Sequence, residues 1–183
     1  MADLKLTSPL SDFTHHWDGL HLHEVTQCEL VSLSVAMGQE KAFAARFKKQ
    51  YGKTTPKPNQ IIAVKGGHAF WSAPDQYMLM LDGEGTHADE AIAEAFSGLG
   101  YSTLQTDNWA HLALSGEKIM DVFERFLPLD MARFEVGQAT RTQAHHIALM
   151  VARLSETDYR LLTPSSSARS FLESLKSVIE TVT

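Results

Sequence analysis

Histidine is the one enriched chemical side chain, with nine copies, and four of them fall within His15-His16-Trp17-Asp18-Gly19-Leu20-His21-Leu22-His23. A His-x-His pair on an extended segment points both imidazoles to one face, the arrangement from which zinc and copper sites are built. No closed ligand set accompanies the pair, so the stretch reads as part of a solvated N-terminal arm and no metal ligand is assigned. His145 and His146 are adjacent, and on a strand they would point to opposite faces. They could not ligate one ion together without a bulge, and they read as structural or interface residues. Asp107 and Asp130 have the chemistry of general bases, but each sits where an element begins or ends, which assigns them to turns or caps. Asp75 follows Pro74 and reads the same way. Cys28 is the one cysteine. It has no disulfide partner within the chain and no CxxC companion, and it opens an alternating segment through Val35, which makes it a buried structural thiol.

Sequence motifs add no chemistry. There is no GxGxxG after a strand, no phosphate-binding Walker loop, no HExxH and no GxSxG elbow. Gly66-Gly67 and the Gly98 and Gly100 pair fit turns and a helix end. Neither a catalytic nor a cofactor-binding residue is therefore assigned. The aromatics point elsewhere. Trp71 and Trp109 default to core packing, with partner contact as the alternative use of a tryptophan. Trp17 lies in the polar arm, where little local core is available. A polar arm of this kind orders on binding, so Trp17, His15, His16 and Trp71 are the candidate partner-interface residues.

The elements that would carry these residues follow from periodicity. Residues 1–24 are polar and irregular and read as an arm. A strand is expected over 29–36, where Val31, Leu33 and Val35 alternate with serines. A helix follows over 38–50, with Phe43, Phe47 and Tyr51 on one face. Three short strands come next, at 61–64, 69–71 and 77–81. A helix is then expected, capped by Thr86 and striped by Ala88, Ile92, Phe96 and Leu99. The second half repeats this order: a strand from Trp109, a helix capped by Ser115 and ended by Pro128, extended segments at 138–143, 146–153 and 158–163, and a final helix from Ala168. The expected class is α+β, with two pseudo-repeated β-α-β-β-β-α units whose helices pack on antiparallel or mixed sheets. The expected boundaries are an arm at 1–24, a first unit at 25–105 and a second at 106–183.

Composition bounds what these units do. The chain has 183 residues, is 44% hydrophobic and carries a formal charge of −6. That is enough apolar material for a core without disulfide or metal staples. Basic residues are scattered apart from Arg46, Lys48 and Lys49, which excludes an electrostatic footprint for nucleic acid. No apolar run approaches the about 20 residues of a membrane helix, and no signal peptide opens the chain. The expected location is the cytoplasm.

Several segments resemble a known family. The stretch from Phe70 to Leu79 is similar to the tryptophan, Pro-Asp and apolar-strand pattern of the folate-binding aminomethyltransferase-like fold. Trp109 to Gly116, Phe123 to Asp130, Thr140 to Thr142, Ile147 to Arg153, Tyr159 to Pro164 and Ser167 to Leu175 then follow in that family's order. Together with the short length, this resembles the gamma subunit of heterotetrameric sarcosine oxidase over residues 25–180. The resemblance implies a subunit without catalytic residues, in a complex that oxidatively demethylates sarcosine to glycine. It places FAD, FMN, NAD, tetrahydrofolate and zinc in the other subunits, and it makes the large flavin-binding subunits the partners. Ser165-Ser166-Ser167 departs from the family pattern, which has a basic residue before the last helix. The alternative is a stand-alone folate or one-carbon binding module, for which Asp107 or Asp130 with Arg141 or Arg153 would supply the polar contacts.

Overall fold

The structure is a computed structural model, and it describes residues 7–83 and 88–183. In chain order the strands and helices are β1 (Thr14–Trp17), β2 (Leu20–Glu24), β3 (Cys28–Val35), α1 (Glu40–Tyr51), β4 (Ile61–Val64), β5 (Gly67–Ala73), β6 (Gln76–Asp82), α2 (Ala88–Ala95) and β7 (Gly100–Leu104). There follow β8 (Trp109–Gly116), α3 (Ile119–Phe126), β9 (Ala139–Ala144), β10 (Ile147–Ser155), β11 (Asp158–Pro164) and α4 (Ala168–Ile179). Among the described residues, two antiparallel sheets and four α-helices give an α+β arrangement. Thr86, the expected cap of α2, lies outside the described residues.

One compact unit takes residues up to Thr26, then Asp107–Val136 and Arg141–Thr183. Its sheet runs β1-β2-β8-β11-β10-β9. One face of that sheet is apolar because Leu20 and Leu22, Leu112 and Leu114, Tyr159 and Leu161, and Leu149 and Val151 all project to the same side. The helices supply the other half of the core. Ile119, Val122, Phe123 and Phe126 on α3 and Phe171, Leu172, Leu175 and Ile179 on α4 recur at helical spacing and are buried. Phe123 meets Tyr159 edge-on at 4.9 Å, and Phe126 meets Phe171 edge-on at 5.5 Å, the arrangement that ring quadrupoles favour. Each fully buried ring of this kind stabilises the fold by about 1.5–3 kcal/mol.

The other unit takes Gln27–Thr106 and Gly137–Thr140. Its sheet runs β4-β5-β6-β3-β7. Phe43, Phe47 and Tyr51 on α1 join Val31, Leu33, Ala69, Leu79, Ile92 and Phe96 in one core. Burial pushes the Tyr51 hydroxyl up to about 12. Gly100 has to be glycine: a Cβ there would stand 2.5 Å from the Ser34 carbonyl oxygen and 3.0 Å from the Phe43 ring. The short return segment closes the start of β4, where Ile61 N donates to Gly137 O at 2.9 Å and Ala139 N to Asn59 O at 3.0 Å.

Four expectations need correction. Residues 14–24 are not an irregular arm but the β1–β2 hairpin, joined to β8 with Leu22 opposite Leu114. The alternation of Leu20 and Leu22 with His21 and His23 is a strand signal that the polar composition hides. The division of the chain is therefore not linear, since residues before Thr26 belong with those after Asp107. His145 and His146 do not lie in a strand. They form the two-residue turn between β9 and β10, with φ of 49° and 67°. Ser115 remains in β8, and Lys118 occupies the α3 N-cap without a side-chain hydrogen bond.

Candidate functional site

The histidines of the N-terminal hairpin come together. His16 on β1 lies opposite His21 on β2, and His23 is two residues further along the same strand. All three project to the side of the sheet away from α3 and α4, because Leu20 and Leu22 take the other side. The rings stack. His16 and His21 have centroids 3.8 Å apart and planes 5° apart, and His21 and His23 are 4.6 Å apart at 22°. Thr14 Oγ1 and His21 Nε2 share a hydrogen bond at 3.1 Å. Burial holds His21 below the usual imidazole range, and the His16 charge adds to this. Burial also holds His23 down, with His21 and Arg160 adding to the effect and Asp158 opposing it. Each shift favours the neutral ring, and stacked neutral rings attract where stacked cations would repel.

This row also holds the residue types of nucleophilic catalysis in the wrong order. Ser115 on β8 pairs with His21 on one side and with Asp158 on β11 on the other. The carboxylate is two strands from the imidazole, about 10 Å at the usual strand spacing, and cannot orient it. Asp158 is instead ion-paired with Arg160, and His21 Nε2 is taken by Thr14. Parallel rings set their nitrogens side by side rather than converging. Among the described residues, no group of three or more His, Cys, Asp and Glu side chains is placed to hold an ion. Beside His16 and His21 lies a wide-open depression of about 390 Å³, with Trp17, Leu20, Ser115 and Glu117 also on its walls.

The hairpin is anchored at both ends. Glu24 is only 8% exposed, and its carboxylate accepts from Ser8 Oγ at 2.6 Å, Leu10 N at 3.0 Å and Asp12 N at 3.0 Å. At the turn, Lys118 Nζ donates to Asp18 at 2.9 Å, and this ammonium holds the Asp18 carboxyl below its usual range. Trp17 has the core that the sequence did not reveal: it packs partly buried against the α3–α4 cluster, with the His15 ring 4.3 Å away. His15 and His16 are exposed, while Trp71 is half-buried on β5.

The residues nominated for a folate contact are placed as follows. Arg153 donates to Phe134 O at 2.6 Å, to Ser155 O at 3.3 Å and to Glu156 Oε2 at 2.5 Å, and its guanidinium lies 5.5 Å from the centre of the Tyr159 ring. Its donors serve its own turn and the Phe134 carbonyl. Asp107, Asp130 and Arg141 are exposed, and none of the four lines the depression. Cys28 is buried, as its alternating segment suggested. No described helix is long and apolar enough to cross a membrane.

No family model matches the sequence. Nor does any curated protein match it. Among solved structures, the fold is similar to a chain of the heterotetrameric sarcosine oxidase from Corynebacterium sp. U-96, a complex with pyrrole 2-carboxylate. The TM-score is 0.81 at 19% identity, over 96% of this chain and 95% of that one. It is also similar to the glycine cleavage system aminomethyltransferase T from Bartonella henselae, with a TM-score of 0.67 at 16% identity over 86% of this chain. This chain spans 45% of the length of that enzyme. At these identities, what the chain shares with both proteins is the fold.

Proposed function

We propose that this chain is the non-catalytic gamma subunit of a heterotetrameric sarcosine oxidase working in the cytoplasm. In this reading the oxidative demethylation of sarcosine takes place in the other subunits. Those subunits hold FAD, FMN, NAD, tetrahydrofolate and zinc, and the large flavin-binding chains are the partners. The observation that carries the reading is the end-to-end match to a chain of a sarcosine oxidase, 96% of one chain against 95% of the other. The reading also takes the chain as two pseudo-repeats. The order strand, helix, three strands, helix runs from β3 to α2 and again from β8 to α4, which supports that description. The test is co-expression with large flavin-binding chains of a sarcosine oxidase. This chain should co-purify in a fixed ratio and, alone, should be colourless and inert on sarcosine. Sarcosine turnover by the isolated chain, or failure to enter any such complex, would overturn the proposal.

The second reading, a stand-alone folate or one-carbon module, draws on the likeness to aminomethyltransferase T. The commitment of the Arg153 donors to Phe134 O and Glu156 counts against it. Calorimetry with tetrahydrofolate decides: saturable binding by the isolated chain favours this module, and no heat removes it.

A further inference from the structure

Charge is unevenly distributed along the chain. The stretch from Lys41 to Pro74 takes seven of the 16 basic residues and none of the 22 acidic ones. All seven are exposed. Among the described residues, none of the seven forms an ion pair. The fold gathers four of them at one end of α1. Lys48 and Lys49 lie in its last turn, and Lys53 follows the left-handed Gly52 that ends it. Lys65 comes from the β4–β5 turn, which is tied to the same end because Lys65 N donates to Tyr51 O at 3.2 Å. Two lysines in the last turn are enough to offset the partial negative charge of a helix C-terminus. Lys53 and Lys65 add charge beyond that, and like charges crowded together work against the fold. Asp82 N donates to Gly66 O beside this turn, but its side chain alternates with Leu81, which packs on the α1 core, and so projects from the opposite face of the sheet.

We propose that this lysine end of α1 is a docking surface for a carboxylate-rich patch on a large flavin-binding chain. The inference rests on the subunit reading above and names the surface by which the subunit attaches. The chemistry of the cluster selects a protein partner over other polyanions. The exposed large apolar residues are Met37, Tyr101, Leu104 and Val136, and none of them lies between Lys41 and Pro74. A membrane surface would therefore find no side chain here to insert among its lipids. A nucleic acid would find no exposed aromatic ring to stack on, and lysine lacks the bidentate fork with which arginine grips phosphate. The cluster is also bounded. Glu40 opens α1, and Arg46 Nη1 donates to Ala95 O at 2.7 Å, which sets the exposed Glu90 and Glu94 of α2 along its flank. An extended polyanion laid across this end would run onto those carboxylates, whereas a protein surface can stop where the lysines stop. A positive patch with a negative border also fixes the orientation of a complementary surface and speeds its encounter.

Association of the full chain with immobilised large flavin-binding chains of a sarcosine oxidase, followed by interferometry at low and high salt, tests the surface. The wild-type association rate should fall as salt is added. The double variant Lys53→Glu/Lys65→Glu lies outside the helix, so it leaves the last turn of α1 intact. At low salt it should associate more slowly by about tenfold or more. Lys53→Gln/Lys65→Gln removes the charge without reversing it and should slow association by a smaller factor. Arg133→Glu/Arg169→Glu, the same charge change at exposed residues elsewhere, should associate as wild type does. A lysine double variant that associates like wild type, or a wild-type rate indifferent to salt, would overturn the inference and leave the subunit reading standing. A wild type that does not bind the flavin-binding chains would overturn the subunit reading and this surface with it, and co-sedimentation with phosphatidylserine vesicles would then assign the lysines to a membrane.

Discussion

Removing the Glu24 carboxylate should release the segment that precedes the hairpin. The carboxylate is buried and receives three donors, Ser8 Oγ, Leu10 N and Asp12 N. A hydrogen bond to a charged group stabilises by about 1.5–3 kcal/mol. The three do not add in full, because a freed segment at the surface gives its donors to water. Leu10 and Phe13 also pack partly buried on the core cluster and would lose that contact. Together these bring Glu24→Ala to a loss of about 2–4 kcal/mol. For a chain of 183 residues that is a fall in Tm of roughly 4–16 °C. Glu24→Gln keeps one acceptor oxygen but turns an amide towards a donor, and should lose about half as much. Urea denaturation gives the free energy, and amide exchange at Leu10 and Asp12 locates it. Those two amides should lose protection in Glu24→Ala while the β8 and β11 amides keep theirs. A change below about 0.5 kcal/mol with Leu10 and Asp12 still protected would refute the latch.

Four further outcomes follow from backbone geometry and charge. Gly116→Ala should cost about 2–4 kcal/mol in a urea melt, because its Cβ would meet the Gly19 carbonyl oxygen at 2.1 Å with φ at +135°. Gly66→Ala, with open space around the new methyl, should cost only about 1 kcal/mol for its left-handed backbone. His146→Gly should stabilise the β9–β10 turn by about 0.5–1 kcal/mol, because two consecutive positive φ values suit glycine better than histidine. The histidine stack makes stability depend on pH. His21 and His23 are held below their unfolded values, so their contribution is complete above about pH 6.5 and is lost as pH falls through their folded values. Urea midpoints should therefore drop on acidification, and the drop should be smaller in His23→Gln; an equal drop in that variant would remove the stack as the cause.

The helices and most strands were legible because their apolar residues repeat at a single period. Phe43, Phe47 and Tyr51 set α1 within two residues of its observed ends, and Phe171, Leu172 and Leu175 set α4, which starts at Ala168 as expected. The hairpin was not legible. Its apolar face consists of Trp17, Leu20 and Leu22, and its partner β8 lies far along the chain, so only pairing reveals it. The role of Glu24 was hidden because its donors come from a turn that forms around it. The His145-His146 turn lacked the Asn-Gly or Asp-Gly chemistry that announces such turns, and two αL histidines were read as strand. The histidine cluster was visible as composition, but its stacking depends on which residue faces which across β1 and β2. That register is set by the hairpin and not by spacing.

The order in which the pieces leave the ribosome differs from the order in which they become useful. β1 and β2 emerge first, yet β2 has no neighbour but β1 until β8 appears about ninety residues later. At about 5–20 residues per second this is a wait of roughly 5–20 s. During that interval the Leu20 and Leu22 side chains have no sheet to cover them. The five-stranded unit, by contrast, has every residue it needs once Thr140 has emerged. Nascent chains stalled once Thr140 has emerged should therefore already protect β3 and β6, while the six-stranded sheet still lacks β10 and β11.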